Sequence, residues 1–242
     1  MKLIIDIGNS RAKAVVMDGM QPLKEFVADG ATEAWLNDIA GHNFGISAAI
    51  VSSTRDDAEE VCSLLRTMIP HVIHFEPATT PTPIGNDYLT PATLGADRLA
   101  AAVGATVLYP ESDIMIVDFG TAITIDYVEN GRYKGGNISP GVTTRFRALA
   151  DYTAKLPLCH PTDESLDYGQ TTIQAIEQGV MRGVEHEISG YAESFSKKKS
   201  ENRIIFTGGD AKYFVMRIKN AIFAESEPVI LGLNRILDYN AK

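Results

Sequence analysis

The chain has 242 residues, 45% of them apolar and 22% charged, and a formal net charge of −9. That length supports one large or two small globular domains. The acidic balance argues against a nucleic-acid binder, which draws affinity from Lys and Arg, and two distant cysteines, Cys62 and Cys159, argue against a disulfide framework or a four-ligand zinc site.

The first residues pass directly into a strand pattern, without a basic leader and apolar core, and no apolar run could span a bilayer. A reduced, cytoplasmic protein with no membrane partner is expected. Leu3 to Gly19 reads as strand, polar turn and strand, with Asp6 at the first strand's end and Gly8-Asn9-Ser10 reversing the chain. Leu23 to Val27 supplies a third strand. Thr32 to Ala40 reads as a helix with Thr32 as N-cap, Gly41 past its end, and Trp35, Leu36 and Ile39 on one face. Ser47 to Val51 is a buried strand closed by Ser52-Ser53-Thr54. Asp56 to Met68 is a second helix and Val72 to Phe75 another strand. Strands alternating with helices predict an α/β fold.

Glu76 to Thr93 breaks that rhythm with Pro77, Pro81, Pro83, Pro91 and Gly85, so it is either a functional loop or a linker. Leu94 to Leu108 then reads as an Ala-rich helix that puts Asp97 and Arg98 near its N-terminal end. The helix dipole suits Asp97 or a bound anion there, whereas Arg98 gains nothing from it. Arg98 is thus placed for a ligand carboxylate or phosphate, or for a structural carboxylate.

Ile116 to Gly131 repeats the opening pattern: Asp118, Gly120, Thr121 and Gly131 match Asp6, Gly8, Asn9 and Gly19 at one offset of 112 residues. Such an offset predicts a duplicated domain, 1–112 and 113–242, whose two turns would face each other across a phosphate-binding cleft. Gly135 to Gly141 is too rich in Gly and Pro for a regular element. Val142 to Asp151 is helical, and Tyr152 to Thr171 is irregular and readable as a mobile surface segment. Thr172 to Phe195 is the longest helix, with Ile173, Ile176, Val180, Val184 and Ile188 on one face and Lys197-Lys198-Lys199 at its end. Arg203 to Phe206 is a strand, Thr207-Gly208-Gly209-Asp210 a glycine turn, and Lys212 to Lys219 and Pro228 to Asn240 are helices.

An Asp at a strand end followed by Gly and a small polar residue has a definite use. Glycine clears room for a polyphosphate, while turn amides and the hydroxyls of Ser10 or Thr121 donate to its oxygens. The carboxylate can serve a hydrated Mg²⁺, directly or through water, and Lys13 adds a point charge. The third glycine turn, at Gly208, suits a nucleotide's base or ribose.

Asp6-x-Gly8-Asn9-Ser10-x-x-Lys13, Asp118-x-Gly120-Thr121 and Thr207-Gly208-Gly209 resemble the actin-like sugar kinase and heat-shock ATPase superfamily. Tyr88-x-x-Pro91-x-x-Gly95-x-Asp97-Arg98 and Gly135-Gly136-x-Ile138-x-Pro140-Gly141 resemble the type III pantothenate kinase family within it. The resemblance implies two ribonuclease H-like domains, each a mixed five-stranded sheet flanked by helices. It further implies ATP-dependent phosphorylation of pantothenate at the start of coenzyme A biosynthesis, a homodimer, and need for K⁺ or NH₄⁺. Carried over by position, Asp6, Ile7, Gly8, Asn9, Ser10, Arg11, Ala12 and Lys13 bind ATP with Mg²⁺ at Asp6, and Thr121 adds an ATP contact. Tyr88, Gly95, Ala96, Asp97 and Arg98 bind pantothenate, Asp97 accepts the proton, and Asp118 lies at the monovalent cation. The family's Asn-Thr pair at the long helix is Thr171-Thr172 here, so Thr172 takes the substrate role and Thr171 is a departure. A kinase for another small alcohol, or a non-catalytic regulatory relative, is the competing reading.

Overall fold

Leu3, Ile5 and Ile7 alternate with Ile4 and Asp6 along β1 (Lys2–Ile7), so the strand gives one face to each of two helix layers. The computed structural model describes residues 1–55, 57–197, 202–224 and 227–241. Asp56, expected to open the second helix, and Lys198-Lys199 lie outside the described residues. The chain divides into two units, Met1–Glu111 with Gly131–Lys134 and Ser226–Lys242, and Ser112–Asn130 with Gly135–Glu225.

The first unit runs β1, β2 (Ala12–Asp18), β3 (Gln21–Ala28), α1 (Glu33–Gly41), β4 (Ala48–Ser53), α2 (Ala58–Arg66), β5 (His71–His74), the short β6 (Gly85–Asn86) and α3 (Ala96–Leu108). Its five-stranded sheet has the order β3-β2-β1-β4-β5. The first three strands are antiparallel, and β4 and β5 run parallel to β1. Leu3, Ile5 and Ile7 pack with Leu36 and Ile39 of α1 and Val61, Cys62 and Leu65 of α2. As expected, Thr32 caps α1, its hydroxyl accepting from the Trp35 amide at 3.3 Å.

The second unit contains β7 (Ile114–Phe119), β8 (Ala122–Glu129), β9 (Arg132–Pro140), α4 (Val142–Tyr152), α5 (Thr172–Ser196), β10 (Arg203–Thr207) and β11 (Ala221–Phe223), the first residues of β9 counting with the first unit. The second sheet has the order β11-β10-β7-β8-β9-β6, in which the two-residue β6 pairs only with Arg132 and Tyr133. Both sheets are therefore mixed and helix-flanked, as the family resemblance implies, but the second has six strands where five were expected of each. Met115, Val117 and Phe119 of β7 meet Val180, Val184 and Ile188 of α5 in one core.

Three local expectations differ. Gly135 to Pro140 is not irregular but the outer half of β9, where β6 offers no pairing and a proline is tolerated. Lys212 to Lys219 is no helix: a 3₁₀ turn at Ala211–Tyr213 is followed by further turns, although Phe214 and Ile218 are buried at helical spacing. Ile173, assigned to the inner face of α5, is 53% exposed because the first turn of that helix extends past the core cluster.

The last helix, α6 (Pro228–Asn240), returns to the first unit, packing on α3, β1 and β4. Ile230, Leu233, Ile236 and Leu237 are buried, and Lys2 pairs with Asp238 at 2.8 Å. Where α6 crosses α3 the backbones touch: a Cβ on Gly104 would overlap the Pro228 carbonyl, and one on Gly232 the Ala100 carbonyl. Asp6 points to this α3/α6 side of the sheet, opposite the α1/α2 side.

Candidate functional site

In the first unit Ile7 pairs with Ala12, leaving Gly8-Asn9-Ser10-Arg11 as the turn, closed by the Gly8 amide on the Arg11 carbonyl at 2.9 Å. Asn9, Ser10 and Arg11 are exposed, whereas Ile7 and Ala12 are wholly buried strand ends that can offer a ligand only backbone. Lys13 is the register partner of Asp6, so both side chains stand on one face. Its ammonium is held by Glu25 at 3.0 Å and by Glu227, the residue just before α6. Burial works against that charge, but hydrogen bonds to Glu227 and Glu25 outweigh it and raise the Lys13 pKa above that of an ordinary lysine. Ser52, beside Asp6 in β4, is wholly buried, and its hydroxyl makes no hydrogen bond among the described residues.

In the second unit the equivalent turn is one residue shorter, since Phe119 pairs with Ile123. Thr124, not a cation, therefore lies across from Asp118. Thr121 is exposed, and its carbonyl accepts from the Gly141 amide at 3.1 Å and the Thr144 hydroxyl at 2.7 Å. The Gly208 turn leans on this one. Gly208 has φ +90°, and a Cβ there would overlap the Asp118 carboxylate, so only glycine fits. The Asp210 amide donates to the Phe119 carbonyl at 3.2 Å, and burial pushes the Asp210 carboxyl up. The structure thus joins two of the three glycine turns, which the sequence placed 88 residues apart, from 120 to 208.

The loop before α3 is pinned in the first unit. Asp87 donates its amide to the Tyr133 carbonyl at 2.9 Å, and its carboxylate accepts from Arg132 Nε at 2.8 Å and Lys134 Nζ at 2.6 Å. The Tyr88 amide donates to Asn86 Oδ1 at 3.0 Å, and the Tyr88 ring lies 6.1 Å from that of Tyr133. Arg132 first, then Lys134, hold the Asp87 carboxyl well below the usual carboxylate range. A depressed carboxylate pKa adds stability above the unfolded value, about 3.9, that is lost as pH falls through the folded one. Urea midpoints should therefore fall on acidification below about pH 4, and fall less in Asp87→Ala, which lacks the carboxylate. An equal fall in both proteins would refute this.

Gly95 precedes α3 and Ala96 opens it, which puts Asp97 in its first turn. Asp97 Oδ1 accepts from the Arg98 amide at 2.8 Å, and a Cβ on Gly95 would come within 2.6 Å of that oxygen. Glycine is therefore what lets the carboxylate turn back over the helix start. Arg98 is 7% exposed, within the buried face of the helix.

At the head of α5, Thr171 is the N-cap: its hydroxyl accepts from the Gln174 amide at 3.2 Å. Thr and Asn both cap helices well, so this departure keeps the cap. Thr172 is the exposed first residue of the helix. The irregular segment before it is strapped down. Gln178 bridges the Leu166 amide and Glu164 carbonyl at 3.0 Å each, and Arg182 donates to the carbonyls of Leu166 and Asp167 at 2.7 and 2.8 Å.

Among the described residues no group of three or more His, Cys, Asp and Glu could hold a metal ion. Single carboxylates beside phosphate-sized turns suit a cation such as Mg²⁺, which takes few protein ligands and completes its shell with phosphate and water. Likewise, no helix of the described residues is long and apolar enough to cross a membrane.

The family model described as type III pantothenate kinase matches residues 2–194. A Bacteroides fragilis protein named type III pantothenate kinase is 40% identical over 241 residues, covering 99% of this chain and 98% of the relative. One of the same name from Azobacteroides pseudotrichonymphae is 41% identical, covering 100% of this chain and 98% of its own. Among solved structures, a Campylobacter jejuni protein named as a Baf family transcriptional activator superposes with a TM-score of 0.67 at 25% identity over 98% of both chains. The activator of 2-hydroxyisocaproyl-CoA dehydratase from Clostridium difficile, with bound ADPNP, gives a TM-score of 0.54 at 14% identity over 98% of this chain and 93% of that one, a likeness of fold alone.

Proposed function

This chain belongs to the type III pantothenate kinase family, and from that premise we propose that it transfers the γ-phosphoryl group of ATP to the primary alcohol of pantothenate. The product, phosphopantothenate, begins coenzyme A biosynthesis. Identity of about 40% along the whole chain to relatives named for this activity carries the reading.

Phosphoryl transfer asks the protein for positioning and for neutralised charge on the phosphate oxygens. In the first unit, the amides of the Gly8–Arg11 turn, the Ser10 hydroxyl and Lys13 take the ATP phosphates, with Ile7 and Ala12 contributing backbone. Thr121 adds a further ATP contact. Kinases of this kind use ATP with a divalent metal; Asp6 would hold it as Mg²⁺, directly or through water, where it neutralises phosphate charge. Asp118 would hold a monovalent cation, K⁺ or NH₄⁺. Tyr88, Gly95, Ala96, Arg98 and Thr172 bind pantothenate, and Asp97 accepts the proton of its alcohol as the bond to phosphorus forms. We assign it a cytoplasmic location and a homodimeric state.

A coupled ADP-release assay with MgATP and pantothenate, with and without K⁺ or NH₄⁺, tests this. Pantothenate-dependent ADP that rises with the monovalent cation is expected. Its absence under both conditions would favour a regulatory role, the reading to which the Campylobacter jejuni neighbour's name points. The net charge of −9 speaks against direct DNA binding in that case.

A further inference from the structure

β4 runs parallel to β1, which brings the residues after its carboxyl end beside the Gly8–Arg11 turn. Thr54 donates both its amide and its hydroxyl to the Ile7 carbonyl, at 2.9 and 3.2 Å. Next in the chain, Arg55 reaches across. Its Nη2 donates to the Asn9 carbonyl at 2.7 Å, and both terminal nitrogens approach the Asp29 carbonyl at 3.4 Å. Its own amide donates to Ser53 Oγ at 2.9 Å, and that hydroxyl donates to Asp57 at 2.8 Å. Arg55 is partly buried, and its guanidinium lies between two backbone carbonyls, one from the turn and one from Asp29, just past β3.

We propose that Arg55 is a positioning residue for the ATP phosphates, setting the plane of the Asn9–Ser10 peptide. This rests on the phosphate role given above to the turn. No described peptide bond is cis, so the Asn9 carbonyl and the Ser10 N–H point in opposite directions within their common plane. Holding the Asn9 carbonyl on Arg55 fixes the plane of this peptide, and with it the direction of the Ser10 N–H, opposite the carbonyl. The positive charge on the carbonyl also polarises the peptide and makes that N–H a stronger donor. Without the clamp, a four-residue turn that begins with glycine is free to rotate this peptide. Arg55 acts through the turn and need not touch the nucleotide.

Binding of a non-hydrolysable ATP analogue with Mg²⁺ to the intact protein, followed by titration calorimetry, tests the idea. Arg55→Ala and Arg55→Gln should weaken binding roughly 10- to 100-fold, the scale of losing a charged hydrogen bond. Arg55→Lys, which keeps one charged donor, should fall between them and wild type. In turnover KM for ATP should rise, while KM for the acceptor stays put. A merely structural residue would lower the melting temperature without singling out the nucleotide. Arg66→Ala, which removes an exposed arginine paired with Glu59 on α2, serves as the control and should bind like wild type. If wild type binds the analogue and Arg55→Gln and Arg55→Lys bind it equally well, the clamp is wrong and the phosphate role of the turn stands. If wild type fails to bind any Mg-nucleotide, both fall.

Discussion

Asp97→Asn should lower kcat by roughly two to four orders of magnitude, the usual contribution of a positioned general base, while KM for either substrate moves by a few-fold at most. The substitution is nearly isosteric and keeps the Oδ1 acceptor that now receives the Arg98 amide at 2.8 Å, so the start of α3 should hold its shape. What is lost is the capacity to take a proton from an alcohol. The unfolding midpoint in urea should therefore match wild type, and that match separates a chemical defect from a folding one. Turnover close to wild type would make Asp97 a helix-start residue and sink its role as base. Gly95 sharpens the comparison: a methyl group there would meet Asp97 Oδ1 at 2.6 Å, displacing the carboxylate without changing its chemistry.

Gly104→Ala should be among the most destabilising single changes in the first unit. An alanine normally gains about 1 kcal/mol over glycine inside a helix. Here the added methyl would overlap the Pro228 carbonyl, a backbone atom fixed in the first turn of α6, so no side chain can swing aside. Overpacking of this kind costs typically 1–3 kcal/mol and can exceed that where backbone must move, which outweighs the propensity gain. Separating α3 from α6 would also disturb both ends of the candidate site, because α3 carries Asp97 and Glu227 precedes α6. A lower urea midpoint with an unchanged m-value is expected. An equal or higher midpoint would mean that the two helices have room to part.

Much of the fold was legible because it rests on local chemistry. Thr32 announced α1 through its cap, and the alternation of Leu3, Ile5 and Ile7 announced β1. The repeat was legible down to Gly19 and Gly131, which both adopt positive φ, 57° and 68°, although Gly19 is the first residue of its two-residue turn and Gly131, after Asn130, the second of its own. What the repeat concealed was a missing residue: the shorter second turn sets Thr124, not a lysine, across from Asp118. Register is decided by pairing and cannot be counted from an offset. The stretch from Gly135 misled because glycine and proline speak of turns, whereas an unpaired strand edge tolerates both. The Asp97-Arg98 pair stood out by its place at a helix start, and Tyr88 through the family resemblance. The pairings of Arg55, Asp87 and Glu227 did not, because the partners lie 46, 45 and 214 residues away, and nothing local marks a charge for a distant mate.

The ion pair between Lys13 and Glu227 ties residues from opposite ends of the chain in synthesis as well as in space. Domains made first usually fold first as the chain leaves the ribosome. This first unit cannot follow that rule to the end. α6, which buries Ile230, Leu233, Ile236 and Leu237 and follows the entire second unit in sequence, is the last of its elements to be made. Until it arrives, the side of the sheet that bears Asp6 and Lys13 lacks part of its cover, and Lys13 has Glu25 but not Glu227. The Gly8–Arg11 turn is translated long before α6 and reaches its final surroundings only after it, so a half-made chain cannot present a finished one.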